Sequence, residues 1–237
     1  MCSSTERKVI MNYKIRISEV NKEDSRAKAY ATVVFGDSLV VRNIAIVEKK
    51  DGSGVFVSMP SQKTNEVDEY NNNVYRDICN PITADFQQEL SGAILKAYDM
   101  KKAGNLDKDG FEIGNQGEAL AFKVRVTPYE RDGSNIRGFA SVYLDDSFVI
   151  SNISIVNGRN GEFVSVPAYK VQARGKGGDS EYHDIVFPIT KDFREQLYGE
   201  ILNSYYEKKQ EKAQAAKESV KSESRPVEEK TENTPFR

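Results

Sequence analysis

The sequence predicts an α+β fold made twice. It reads as two tandem units, each a four-stranded antiparallel β-sheet with a C-terminal helix, packed together as an intramolecular pseudo-dimer. Three observations predict this. The first is duplication. Tyr13-Lys-Ile-Arg-Ile17 returns as Phe122-Lys-Val-Arg-Val126, and Phe56-Val-Ser-Met-Pro60 returns as Phe163-Val-Ser-Val-Pro167. Laying 13–47 on 122–156 and 56–98 on 163–205 gives about 30 identities in 78 positions. The second is strict alternation at the start of each copy, where Tyr13, Ile15 and Ile17 alternate with Lys14, Arg16 and Ser18. That period of two marks a half-buried strand. The third is a helical stripe at the end of each copy, described below.

After the first strand, Ala27 to Phe35 is rich in β-branched and aromatic residues. Gly36-Asp37-Ser38 turns into a third strand from Leu39 to Val47, and Asp51-Gly-Ser-Gly54 turns into a fourth from Val55 to Met59. Short polar turns between four strands imply an antiparallel meander. Pro60 ends the last strand, because proline has no N–H to give to a ladder. A long polar loop is expected next, Ser61 to Val74 in copy one and Ala168 to Glu181 in copy two. Thr83 then suits a helix N-cap, with Asp85 in the first turn and Phe86, Leu90, Ile94 and Tyr98 at i, i+4, i+8 and i+12. Copy two repeats this as Thr190, Asp192, Phe193, Leu197, Ile201 and Tyr205.

These signals divide the chain into a flexible N-terminus (1–11), a first unit (12–98), a linker (99–120), a second unit (121–206) and a charged tail (207–237). The linker holds four glycines, and about 20 flexible residues reach about 25 Å, enough for the units to meet within one chain. In the tail, Glu207 to Glu218 can prolong the helix with solvated charge, while Ser219 to Arg237 has the composition of a disordered segment. With 34 basic and 36 acidic side chains interspersed, the net charge of −2 argues against a strongly basic polyanion binder, though not against a local basic patch. Apolar runs are far shorter than the ~20 residues of a spanning helix, and no charged segment followed by an apolar run opens the sequence, so no signal peptide is expected. Cys2 and Cys79 make no disulfide framework, so a reduced, cytoplasmic setting is expected.

Residues 38–83 carry a family likeness. Leu39-Val-Val-Arg-Asn-Ile44, Val55-Phe-Val-Ser-Met-Pro-Ser61, Lys63-Thr64, Tyr75-Arg-Asp-Ile78 and Asn80-Pro-Ile82 resemble the stage V sporulation protein G (SpoVG, septation protein) family. Phe148-Val-Ile-Ser-Asn-Ile153, Phe163-Val-Ser-Val-Pro167, His183-Asp-Ile185 and Phe187-Pro-Ile189 repeat the frame. The resemblance implies a small cytoplasmic regulator that dimerises and binds DNA, or in some members RNA, without enzymatic activity. A usual member has one unit per chain, so this chain looks like a dimer fused into one polypeptide. The family's contacts centre on a basic stretch after the Met-Pro-Ser strand end, usually Lys-Arg-Thr. This chain has Gln62-Lys63-Thr64 there, and Tyr169-Lys170-Val171 in copy two. Each copy lacks one of the two cations, and phosphate affinity scales with the cations engaged.

Lys63 and Lys170 are therefore the leading phosphate-contact candidates, supported by Thr64, Arg76, Arg174 and Lys176. Arg174 and Lys176 lie in the Gly-rich run Arg174-Gly-Lys-Gly-Gly178, a cationic segment able to follow a backbone of phosphates, where copy one has Glu66, Asp68 and Glu69. The competing reading is that these are ordinary solvated loops. Lys14, Arg16, Lys123 and Arg125 share one face of the first strands, but the aromatics Tyr13 and Phe122 point the other way, which suits a solvated face. His183 reads as a surface histidine and Asp77 and Asp184 as turn-fixing residues. No catalytic residue, metal site or cofactor is expected: one histidine, two scattered cysteines and no phosphate-binding Gly-Lys-Ser/Thr loop leave nothing to build one from. The expected partners are DNA and, as the resemblance implies for some members, RNA, with no membrane and with pairing of the two units. A third, structural option is that exposed sheet edges pair chains into higher homo-oligomers. The alternative function is a protein-interaction scaffold that has lost nucleic-acid binding.

Overall fold

The computed structural model of the chain describes residues 11–22, 24–108, 110–114, 119–171 and 181–223. Unit one runs β1 (Tyr13–Glu19), β2 (Ala27–Phe35), β3 (Leu39–Glu48), β4 (Val55–Ser58), β5 (Ser61–Val67), β6 (Asn73–Asp77), β7 (Cys79–Pro81) and α1 (Ala84–Lys102). A short β8 (Phe111–Ile113) follows. Unit two repeats the order as β9 (Phe122–Pro128), β10 (Ile136–Leu144), β11 (Phe148–Gly158), β12 (Gly161–Ser165), β13 (Ala168–Val171), β14 (Glu181–Asp184), β15 (Val186–Pro188) and α2 (Lys191–Glu223).

The expected meander is present in both units: β1 to β4, and β9 to β12, pair antiparallel in sequence order. Alternation decides which face is buried. Tyr13, Ile15 and Ile17 of β1 and Ala29, Ala31, Val33 and Phe35 of β2 face the core. The helices pack as their stripes require, with Phe86, Leu90, Ile94 and Tyr98 buried on α1 and Phe193, Leu197, Ile201 and Tyr205 on α2. Both caps form: Thr83 Oγ1 accepts from the Phe86 N–H at 3.2 Å, and Thr190 Oγ1 from the Phe193 N–H at 3.3 Å. They satisfy one of the unpaired donors of each first turn.

The units are joined by reciprocal strand exchange. After its own ribbon, each unit sends a three-residue strand into the other's sheet. β7 pairs with β11, Cys79 opposite Ile150, and β15 pairs with β3, Val186 opposite Val41. The device is already set in β3 and β11, where Asn43 and Asn152 both sit in the left-handed region at φ 61°. Asparagine tolerates that region better than most residues, and here it makes a bulge. The bulge turns the preceding N–H outward: that of Arg42 donates to the Ile185 carbonyl at 2.8 Å, and that of Ser151 to the Ile78 carbonyl at 2.7 Å. The Ile189 N–H to Ser38 carbonyl bond (2.9 Å) and the Ile82 N–H to Ser147 carbonyl bond (2.7 Å) close the exchange in matched fashion.

One hydrophobic core results, drawn from both units. At the junction Phe35 and Phe148 lie 4.9 Å apart between ring centroids, and Phe86 meets Phe148 edge-on at 6.4 Å. The duplicate positions of Phe35 and Phe148 are Leu144 and Leu39, equally buried, so the junction is aromatic on one side and aliphatic on the other.

Several expectations are corrected. The segments expected as polar loops after the fourth strands carry strands: β5 and β6 form one two-stranded ribbon, and β13 and β14 another, with residues 172–180 outside the described residues. Residues 99–120 are not simply a flexible linker. They hold the end of α1, closed by Gly104 in a left-handed cap (φ 72°), and β8, which pairs with β1. Met11 is buried rather than part of a loose lead-in. At the other end α2 reaches Glu223, past the point where helix was expected to stop. Among the described residues no helix is long and apolar enough to cross a membrane.

Candidate nucleic-acid interface

The two ribbons carry the candidate site, and the same bond closes each at its base. The Ile78 N–H donates to the Pro60 carbonyl and the Ile185 N–H to the Pro167 carbonyl, both at 2.8 Å. Antiparallel register then fixes which side chains share a face. Lys63 stands opposite Tyr75, and Lys170 opposite Tyr182. Directly opposed side chains in such a pair project from the same face. Both lysines are exposed, and the tyrosines are 60% and 67% exposed. Neither lysine has an ion-pair partner among the described residues. Each ribbon thus presents a free ammonium beside an open aromatic face.

The other candidates fare differently. Thr64 is half-buried and its hydroxyl donates to the Val74 carbonyl at 3.0 Å while accepting from the Glu66 N–H at 3.2 Å. It therefore holds the two strands of the ribbon together. Arg76 opposes Gln62 on the other face, and its guanidinium is bound to both carboxylate oxygens of Glu66 at 2.9 and 2.8 Å. Its charge is locally balanced. Arg174 and Lys176 lie outside the described residues. The structure therefore brings Lys63 and Lys170 into equivalent exposed settings, separates Arg76 from Lys63 by a face, and makes Thr64 a structural residue.

At the tip of the first ribbon the Asp68 carboxylate accepts from the N–H groups of Tyr70 (2.9 Å) and Asn72 (2.7 Å) and from the Asn72 amide (3.1 Å). The bonds from Asn72 above all hold its carboxyl below the usual carboxylate range. They also support Asn71 at φ 63°, and leave Tyr70 projecting into solvent. In the second ribbon Tyr169 and His183 share the face opposite Lys170, with ring centroids 5.7 Å apart, and His183 Nε2 lies 3.5 Å from Glu181.

Tyr75 and Tyr182 were not among the sequence candidates. Their signal was present in the repeated Tyr-x-Asp-Ile, but only ribbon register places them beside the lysines. On the outer faces of the sheets, the first-strand cations are partly neutralised: Lys14 lies 3.7 Å from Glu112, and Lys123 is bound to Asp146. Among the described residues no group of histidine, cysteine and carboxylate side chains is placed to hold a metal ion. Cys79 is buried in β7, and burial pushes its thiol up, away from reactivity.

Comparison with known proteins agrees with the duplicated fold. The profile of the SpoVG family matches twice, at residues 10–100 and 121–207. A septation protein SpoVG of Caldanaerobacter subterraneus is 35% identical over 95 residues, covering 40% of this chain and 94% of the relative. The SpoVG of Acholeplasma laidlawii is 38% identical over 84 residues, 35% of this chain and 80% of the relative. SpoVG 2 of Listeria monocytogenes is 36% identical over 95 residues, 40% of this chain and 86% of the relative. Each match is about the length of one unit.

Proposed function

Since the chain belongs to the SpoVG family, with two of its units in one polypeptide, we propose that it is a non-catalytic regulatory protein that binds nucleic acid through its two ribbons. The observation that carries this reading is the repeated exposed pair, Lys63 beside Tyr75 and Lys170 beside Tyr182. An ammonium neutralises a phosphate, and a neighbouring tyrosine offers a face on which an unpaired base stacks. Together they favour single strands, DNA or RNA, over duplex. Phosphate contacts and stacking are tolerant of sequence, so recognition is weakly sequence-selective and strongly salt-dependent. Regulation by such binding implies action in the cytoplasm, where the nucleic acid is. Arg174 and Lys176 add cationic reach to the second ribbon in this reading, and Arg76 joins only when Glu66 releases it.

The test is fluorescence anisotropy with labelled single-stranded DNA, RNA and duplex at low and physiological salt. Binding to single strands that falls by about 1–3 kcal/mol on Tyr75→Ala or Tyr182→Ala is expected for base stacking. Duplex binding indifferent to both tyrosines would overturn the stacking role. No binding to any probe at low salt would overturn the whole reading and favour the protein-interaction scaffold, with which the near-neutral net charge and the Arg76–Glu66 pair are consistent.

A further inference from the structure

The two units differ at one edge. In unit one the outer edge of β1 is closed by β8, with Ile113 opposite Tyr13, Glu112 opposite Lys14 and Phe111 opposite Ile15. Two left-handed glycines let the strand lie this close: a Cβ on Gly110 (φ 97°) would stand 2.4 Å from the Ile15 carbonyl oxygen, and one on Gly114 (φ 94°) 2.9 Å from the Asn12 Cα. Phe111 lies under the Lys96 ammonium, 5.0 Å from ring centroid to nitrogen. Tyr13 and Ile15 are consequently 1% and 0% exposed.

Among the described residues the duplicate edge of unit two is open. β9 ends its sheet, and among the described residues no strand pairs with its outer side. Phe122 and Val124, the duplicates of Tyr13 and Ile15, are only half-buried. They line a groove of about 650 Å³ whose other wall is α2, with Gln196 and Glu200. Glu200 occupies the place of the buried Ala93, is exposed, and has no ion-pair partner among the described residues.

We propose that the groove between β9 and α2 is a docking site for an extended segment of a partner protein, which adds to β9 as an antiparallel strand. Its apolar residues at alternate positions seat opposite Phe122 and Val124, and a lysine or arginine on the same face meets Glu200. The occupant's form is read from β8, which fills the duplicate groove in this same molecule. Its charge is read from Glu200 in place of Ala93. Lys123 needs no acid from the partner, because Asp146 already holds it. A second copy fits less well: its β9 presents Phe122, Val124 and Val126 on that face, with no cation, and would bring a second Glu200 to the seam. Strand addition of this kind draws affinity from main-chain hydrogen bonds and selectivity from alternate side chains.

The probe is a synthetic peptide, Lys-Ser-Phe-Thr-Ile-Ser-Lys, titrated into the ¹⁵N-labelled full chain. Shifts of backbone amides in 122–126 and 193–201, with none in 13–17, are expected. Replacing both peptide lysines by glutamate, or introducing Glu200→Ala, should weaken binding about 3-fold, as a part-exposed ion pair does. Of two N-methylated peptides, one blocked at Phe and Ile and the other at Ser and Thr, only the one whose blocked N–H groups face β9 should lose binding. No shift at millimolar peptide, equal binding by both N-methylated forms, or shifts confined to the ribbons would overturn the proposal. So would broadening of β9 amides that grows with protein concentration in the absence of peptide, which would assign the edge to a second copy.

Discussion

Unit one and unit two have the same strands, the same caps and the same bulges, yet they are finished differently. Unit one has its first strand covered by β8, a tyrosine at position 13 whose hydroxyl donates to Glu89 at 3.2 Å, and an alanine at 93. Among the described residues unit two has an open edge, Phe122 with Gln196 in place of that bonded pair, and Glu200 in place of the alanine. The ribbons diverge too. The first is tied by Thr64, Asp68 and the Arg76–Glu66 pair, whereas the second has Tyr169 and His183 packed together. What both preserve is the exchange of β7 and β15 and the Lys–Tyr pair. Duplication has kept the features that join the halves and the features proposed to meet nucleic acid, and has let the two edges part company.

The largest expected effect breaks the join. Phe35→Ala and Phe148→Ala each remove a fully buried ring at the junction and should cost about 3–5 kcal/mol. Because the rings come from different units, denaturant unfolding followed by circular dichroism should still show one transition, displaced. Two separated transitions would mean that the units fold independently.

Gly110→Ala sharpens the contrast between edges. A left-handed alanine pressed on the Ile15 carbonyl should cost about 1–3 kcal/mol. Hydrogen exchange should quicken in β1 and stay unchanged in β9; equal effects in both would deny that β8 is what closes unit one. A smaller and symmetrical effect is expected at the caps. Thr83→Ala and Thr190→Ala should each lose about 1 kcal/mol by thermal melting, and a marked inequality would show that the helices are not equivalently anchored. Smallest in stability is Glu66→Gln. Exposed ion pairs contribute about 0–1 kcal/mol, so the fold should hardly change. Freeing Arg76 should nevertheless tighten nucleic-acid binding, and unchanged or weaker affinity would remove Arg76 from the interface.

Local pattern carried much of the fold. Period-two alternation marked β1 and β9, and the threonine caps with their apolar stripes marked α1 and α2, because each of these signals is complete within a dozen residues. The remainder depends on partners distant in sequence. β7 and β15 are three residues long and end in proline, and their pairing partner is in the other unit. Polar Gln62-Lys63-Thr64 shows no alternation, so its ribbon is invisible until Tyr75 is laid beside Lys63. The glycines of residues 99–120 read as freedom, whereas Gly110 and Gly114 serve close approach. Within the candidate site, the lysines were singled out by the family resemblance, but neutralisation of Arg76 was not legible, since Glu66 reaches it only across the hairpin.

The most direct test of the proposed interface is the salt dependence of single-strand binding in the unaltered protein and in the Lys63→Ala/Lys170→Ala double variant. Removing one lysine from a phosphate lowers the slope of log K against log salt by about 0.7, so the double variant should be flatter by about 1.4 and weaker on every sequence. An unchanged slope would contradict the account, for it would mean that nucleic acid, if bound at all, does not touch the paired ribbons.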